Sequence, residues 1–163
     1  MREYWITSLQ KTVGVFWMEN SDLIKEVLTA MINISGRKTN KGHAAFVMDI
    51  SLKKLSSKYD FLKNIEIIDT RFLENADPIS VVSDVDSVPP DEIGKAIQEI
   101  ITTVDETLGK EAGYFFIKEI SRNIKDNYHS TMSEMGIDLS LMQLEREIKE
   151  MEKRINTSRK IDE

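Results

Sequence analysis

Residues 90–109 read PDEIGKAIQEIITTVDETLG, and from this stretch onward the apolar residues recur at the 3.6-residue period of an α-helix. Pro90 suits a first helical turn, and Asp91 and Glu92 complement the positive end of the helix dipole. Gly109 is a typical helix stop. The stretch predicts an amphipathic helix whose apolar face consists of Ile93, Ala96, Ile97, Ile100, Ile101, Val104 and Leu108.

Two further helices are predicted after Gly109. The first runs from about Lys110 into the low 130s, and Gly136 supplies its stop. The second begins at Asp138 or Ser140, and its apolar residues alternate between spacings of four and three, which is the pattern of a short coiled-coil seam. The seam consists of Ile137, Leu141, Leu144, Ile148, Met151 and Ile155.

Before residue 75, short apolar runs rich in β-branched and aromatic residues alternate with amphipathic stretches. The runs predict strands at residues 4–7, 13–18, 44–50 and 65–68. Residues 23–31 have helical spacing, and Gly36 sits where a glycine would stop that helix. A second helix is predicted from Ser51, as N-cap, to about residue 64.

The predicted fold is therefore α/β or α+β, with the element order β-β-α-β-α-β at the start of the chain. A small N-terminal α/β layer domain occupies residues 1–75 in this interpretation. Residues 76–90 form a linker rich in Pro, Asp and Ser, and residues 91–163 form a three-helix hairpin or bundle.

Composition excludes several functional classes. The chain has 163 residues, of which 40% are hydrophobic and 31% charged, as in soluble globular proteins. It has no cysteine, which excludes disulfides, thiolate metal sites and cysteine nucleophiles and is compatible with a reducing cytosol. No signal peptide, anchor or membrane span is predicted. We expect a cytoplasmic protein.

Charge is divided unevenly along the chain. The net charge is −6, but residues 1–82 carry +1 and residues 83–163 carry −7. Because an acidic second half repels a phosphate backbone, nucleic acid is an improbable partner.

The most basic spot is the connection at residues 36–42, where Arg37, Lys38 and Lys41, followed by His43, could bind an anion or an acidic partner. The alternative is an exposed connection between a helix and a strand. A P-loop is disfavoured, because its glycines would follow a strand and open a helix.

Asp49 and Asp69 follow predicted strands at the ends where α/β proteins place ligand-binding groups. They are the best candidates for the carboxylates of a small-molecule pocket, with a helix cap and a turn former as the alternative. The sequence contains no hydrolase motif and no metal-type spacing of its two histidines. No catalytic residue, metal or cofactor is predicted.

The strongest signal for interaction lies in the helical region. Tyr114 and Phe115 stand beside a core-facing Phe116, so at least one of them must be covered by something else. Either the α/β domain of the same chain covers it, or a second subunit or a partner does. In a parallel pair of seam helices, Glu147 would face Glu152 and Arg154 would face Arg159. A parallel homodimer is therefore disfavoured, whereas an antiparallel pair brings Glu147 near Arg154 in both directions.

The alternative for the seam is that the last helix closes a bundle within its own chain. The leading hypothesis is a non-enzymatic cytoplasmic interaction or regulatory protein of the signalling or adaptor type. It would form a homodimer or dock a protein partner through its C-terminal helices. The interface residues would be Tyr114, Phe115, Leu141, Leu144, Ile148, Met151 and Ile155. The other hypothesis is a small-molecule or anion-binding sensor or enzyme, with its pocket at the strand C-termini of the N-terminal domain.

Overall fold

The structure is a computed structural model that describes residues 18–72, 77–113 and 115–161, except for the side chains of residues 110–113. This described part contains six α-helices and one two-stranded sheet. The predicted β-β-α-β-α-β layer domain is therefore wrong, because the described chain is mostly helical. The strand predicted at residues 4–7, and all but the last residue of that at 13–18, lie outside the described residues.

The helices and strands follow one another in a simple order. The helices are α1 (Asn20–Lys38), α2 (Lys41–Leu55), α3 (Pro90–Gly113), α4 (Phe116–Asn123), α5 (Asp126–Glu134) and α6 (Leu139–Ile161). Between α2 and α3 lie a 3₁₀ helix (Asp60–Asn64), strand β1 (Ile65–Ile67), strand β2 (Ile79–Val81) and a second 3₁₀ helix (Ser83–Ser87). The two strands are antiparallel, and Ile65 lies opposite Val81.

Helix α2 replaces the strand predicted at residues 44–50. Its buried residues have helical spacing, and they are Ala44, Ala45, Val47, Met48, Ser51, Leu52 and Leu55. Phe46, which is 61% exposed, would share a face with the buried Met48 if the segment were a strand. Asn40 caps the helix by accepting a hydrogen bond from the backbone N–H of His43 at 2.8 Å. Ser51 lies inside the helix and donates to the carbonyl oxygen of Val47, so the prediction that it is an N-cap is also wrong.

Helix α1 confirms the helix predicted around residues 23–31, but it continues past Gly36 to Lys38. Gly36 has ordinary helical surroundings, since a Cβ atom there would lie 3.5 Å from the nearest atoms of Lys41. The connection predicted at residues 36–42 is therefore reduced to Thr39 and Asn40, between two helices.

The segment predicted as a linker contains β2 and the second 3₁₀ helix, and it is held against α1. The Asn20 side-chain amide donates to the carbonyl oxygens of Val85 and Val88, at 3.0 and 2.9 Å. The Asp86 carboxylate accepts from the backbone N–H of Ser21 at 2.7 Å. Strand β1 confirms the strand predicted at residues 65–68, with Ile67 as its last residue.

Helix α3 confirms the helix predicted from residue 90 onward. Its backbone breaks at Gly109, where φ is 77° and ψ is −175°. The single helix predicted from Lys110 into the low 130s is instead divided into the end of α3, α4 and α5. Ile124, with ψ at 136°, separates α4 from α5. Gly136 is the predicted stop of α5, and its φ of 84° is accessible to glycine at little cost.

The buried side chains form one continuous cluster with members from every described helix. Helix α1 contacts α2, α3 and α4, and α2 also contacts α3. Among the fully buried side chains are Leu28 of α1, Met48 of α2, Ile97 of α3 and Phe116 of α4. In the described residues, we find no helix with both the length and the apolar character required to cross a membrane.

Candidate functional site

Helix α6 packs on the body of the protein through one face only. Leu139 and Gln143 are buried, Met142 is packed against the core, and the side chains of Arg146 and Glu150 are mostly covered. These five residues recur at spacings of three and four, so they lie on one side of the helix. We call this side the docked face.

The predicted seam lies on the opposite side of α6. Leu141, Leu144, Ile148, Met151 and Ile155 are each between 42% and 55% exposed. At 100° per residue, the centre of this set is about 160° from the centre of the docked face. We call these five residues the apolar stripe. The last helix therefore packs within its own chain, as the alternative interpretation predicted, but through the docked face. Ile137, the first predicted seam residue, precedes α6 and is buried in the core.

The second half of α6 extends beyond the body. Residues 151–161 are all exposed, which covers about three turns of helix. An isolated helix of this length is marginal in water, because most helical stability in proteins comes from packing of an apolar face. The stripe continues onto this projecting end through Met151 and Ile155.

A buried ion pair fixes how α6 is rotated on the body. The Arg146 Nε atom donates to Asp105 Oδ2 of α3 at 2.8 Å, and Asp105 is only 6% exposed. Close by, the Gln143 side-chain oxygen accepts from the backbone N–H of Lys118, in α4, at 3.3 Å. Pairing Arg146 with Asp105 turns the docked face inward and the apolar stripe outward.

The surroundings of Asp105 disfavour its charge. Burial raises the pKa of its carboxyl group to about 6, although the neighbouring Arg146 acts in the opposite direction. Within the described residues, the Asp105 Oδ1 atom accepts no hydrogen bond. A cavity of about 300 Å³ lies beside the pair, and its lining includes Thr102, Ile117 and Met142.

The pair of Asp105 and Arg146 was not predicted from the sequence, although one signal for it exists. Asp105 follows Val104 directly and lies four residues after Ile101, so a carboxylate interrupts the apolar face of α3. A charged residue in such a position is seldom buried without a partner. Its partner could not be found from the sequence, because Arg146 lies 41 residues away.

The basic residues predicted to bind an anion are divided among different contacts. Arg37 and Lys38 end α1, and both pair with Glu119, at 3.8 and 3.2 Å. Lys41 instead lines a cavity of about 210 Å³ near the end of β1. His43 lies in the first turn of α2 rather than at the start of a strand. Of the four residues, the structure brings Arg37 and Lys38 together at the carboxylate of Glu119.

The two predicted pocket carboxylates also have separate partners. Asp49 lies within α2 and pairs with Lys53 at 2.6 Å. Asp69 follows β1 and pairs with Arg71, also at 2.6 Å, which lowers the pKa of the Asp69 carboxyl group. The described residues contain no group of three acidic or histidine side chains that could hold a metal ion.

Of the two predicted aromatic interface residues, Tyr114 lies outside the described residues. Phe115 is half exposed at the start of α4.

Comparison with known proteins finds no matching family model, no matching curated protein and no matching solved structure.

Proposed function

We propose that this chain is a non-enzymatic cytoplasmic interaction protein of a regulatory or adaptor type, which docks a helical partner on the apolar stripe of α6. The observation that carries the proposal is the outward position of the stripe, about 160° from the docked face. Exposed apolar side chains that lie singly need no explanation, but five in a row along one helix indicate an interaction site.

The shape of the site favours a helix as the bound element. The stripe follows the spacing of four and three residues that allows the side chains of one helix to fit between those of another. The projecting end of α6 is exposed on all sides, so a partner can contact it over its whole length. The absence of cysteine from all 163 residues is compatible with a reducing cytosol.

Photo-cross-linking in cells that express the chain tests this proposal. The photo-reactive p-benzoyl-phenylalanine replaces Leu144 of the stripe in one variant and Phe46 of α2 in the matched control. Both positions are exposed and apolar, so neither replacement disturbs the core. We expect discrete protein adducts from position 144 and none at the same mass from position 46.

Two further variants connect an adduct to the stripe itself. In the cross-linking chain, Ile148→Gln should remove the adduct, because it places an amide in the middle of the apolar contact. The matched change Ile50→Gln on α2 should leave the adduct intact, since Ile50 is similarly exposed on another helix. No adduct from position 144, or an adduct that survives Ile148→Gln, would contradict the proposal.

A further inference from the structure

We infer that the partner on the apolar stripe is a second copy of α6, which runs antiparallel to the first about a two-fold axis. This inference rests on the proposed function and names its partner. It is carried by the charges that flank the stripe, because attractive pairs outnumber repulsive pairs only in this orientation and in one register.

The apolar residues allow two registers with four apolar layers each. In the first, Leu141 lies opposite Met151 of the second copy and Leu144 lies opposite Ile148 of the second copy. The second is the proposed register. When Ile148 lies opposite Met151 of the second copy, Leu144 lies opposite Ile155 of the second copy. The two-fold axis repeats both contacts, so the centre of the dimer has four apolar layers. All four of these residues are about half exposed in the single chain.

The flanking charges select the proposed register. It places Glu147 beside Arg154 of the second copy, and Asp138 near Arg159 of the second copy, each twice. The two-fold axis also places Glu145 beside Glu152 of the second copy twice, so four attractive pairs oppose two repulsive pairs. A shift of one heptad in one direction places the two copies of Glu147 together, and a shift in the other direction places the two copies of Arg154 together.

The body of the protein leaves room for this arrangement. The docked face is buried against α3 and α4, on the side of α6 opposite the stripe. In an antiparallel dimer, the two bodies therefore lie on the two outer sides of the helix pair. The Glu147 carboxylate already accepts a hydrogen bond from the Gln143 side chain at 2.9 Å, which holds it at the edge of the stripe.

Charge reversal in the full chain tests the contact. Light scattering across the micromolar range should give a species of twice 18.8 kDa at high concentration. Glu147→Arg and Arg154→Glu, each alone, should raise the dissociation constant by about tenfold, because each replaces two attractive pairs by two repulsive pairs. The double variant should restore it to within about threefold.

A matched control separates a local contact from a general effect of net charge. Lys160→Glu changes the charge as Arg154→Glu does, but Lys160 lies on the side of α6 away from the stripe. It should leave the dissociation constant within about twofold of the original. Equal effects of Lys160→Glu and Arg154→Glu, or no rescue in the double variant, would overturn the proposed contact.

A distance measurement tests the orientation. Because the chain has no cysteine, Lys160→Cys carries a single spin label. The antiparallel register separates the two labels by about 30 Å along the helix axis, at 1.5 Å per residue, whereas a parallel pair places them side by side. A distance near that of a parallel pair would overturn the inference and leave the proposed function intact.

The two proposals can fail separately. If the purified chain stays a monomer and the photo-cross-linker at position 144 captures a different protein, the second-copy inference is wrong and the proposed function stands. If it stays a monomer and no adduct forms, both are wrong. An adduct of twice the chain mass, together with the long label distance, supports both.

Discussion

At the scale of single residues, the pair of Asp105 and Arg146 has a larger effect on orientation than on stability. A buried ion pair contributes little net free energy, because removal of both charges from water offsets their attraction. Its geometry is specific, however. Rotation of α6 about its own axis by half a turn would bury the apolar stripe, but it would also separate Arg146 from Asp105 and leave a charge buried alone.

Asp105 should make the folded protein less stable as pH rises from about 4 to about 6. Its folded pKa, about 6, is above the ordinary value of 3.8, so the folded chain binds more protons between these values. Asp105→Asn resembles the protonated side chain and removes this dependence. The free energy of unfolding of the original chain, relative to Asp105→Asn, should fall by on the order of 3 kcal/mol across this range.

Urea unfolding of both proteins at pH 4, 5, 6 and 7 measures this difference. The other carboxyl groups, including the nearby Glu106 and Glu150, are present in both proteins, so their own titration largely cancels. A difference that stays constant with pH, or that changes in favour of the original chain, would show that burial does not raise the pKa of Asp105.

Gly94→Ala should destabilise the fold, although alanine is the better helix former. A Cβ atom at Gly94 would meet the backbone carbonyl oxygen of Met135, where the turn between α5 and α6 crosses α3. The Gln98 side chain holds the same turn by donating to the Gly136 carbonyl oxygen at 2.6 Å. We expect a loss of about 1–2 kcal/mol, after the gain of up to about 1 kcal/mol in helix propensity.

Gly36→Ala is the matched control for this substitution, because Gly36 lies inside α1 with no contact closer than 3.5 Å. It should stabilise the chain by about 0.5–1 kcal/mol, as measured by urea unfolding with circular dichroism. If Gly36 ended α1, as its position in the sequence predicted, alanine would be strained there. The two variants must therefore differ in sign for the described packing to hold.

At the scale of elements, sequence patterns were reliable where one face of a long helix is buried. Helix α3 has seven regularly spaced apolar residues on its buried face. The sequence predicted this helix together with its first turn and its break at Gly109. Helix α2 was misread because residues 44–50 are apolar on both sides. Burial alone distinguishes the two structures in such a run, and burial depends on neighbours that the local sequence does not contain.

A pair of alanine substitutions tests the helical assignment of α2. Met48 is buried and Phe46 is exposed, although a strand would place both on one face. Met48→Ala should cost about 2–5 kcal/mol in the free energy of unfolding, and Phe46→Ala should cost less than about 0.5 kcal/mol. Similar losses from the two substitutions, measured by urea unfolding, would instead indicate a strand.

The candidate site shows the same division between local and distant information. Five of the six residues of the predicted seam form the apolar stripe of α6, because their spacing is local, whereas Ile137 is buried in the core. The direction in which it points was not, because Arg146 and Asp105 decide it across 41 residues. The predicted pocket carboxylates, Asp49 and Asp69, depended on strand ends at residues 50 and 68, and only the second of these strands exists in the described chain.

At the scale of the whole molecule, the hydrophobic core crosses the boundary that the sequence predicts at residues 76–90. Strand β2 pairs with β1, and Asn20 binds the backbone of Val85 and Val88. Helices α1 and α2 both contact α3, so separation of the two regions would expose apolar surface on each. The region before the boundary and the helices after it therefore stabilise one another.

Unfolding in urea should consequently show one cooperative transition rather than two. Hydrogen exchange measured by mass spectrometry resolves the regions, and the buried amides of α1, α2 and α3 should exchange with the same free energy of opening, because they share one core. Independent domains at residues 1–75 and 91–163 would give two distinct free energies in the same experiment. Residues 151–161 should exchange faster in the Ile148→Gln variant than in the original chain, because the variant lacks the dimer contacts that cover the end of α6. If α1 and α2 opened at a lower urea concentration than α3, the three helices would not share one core. If all three opened together, the shared core would be the unit that holds α6 in place.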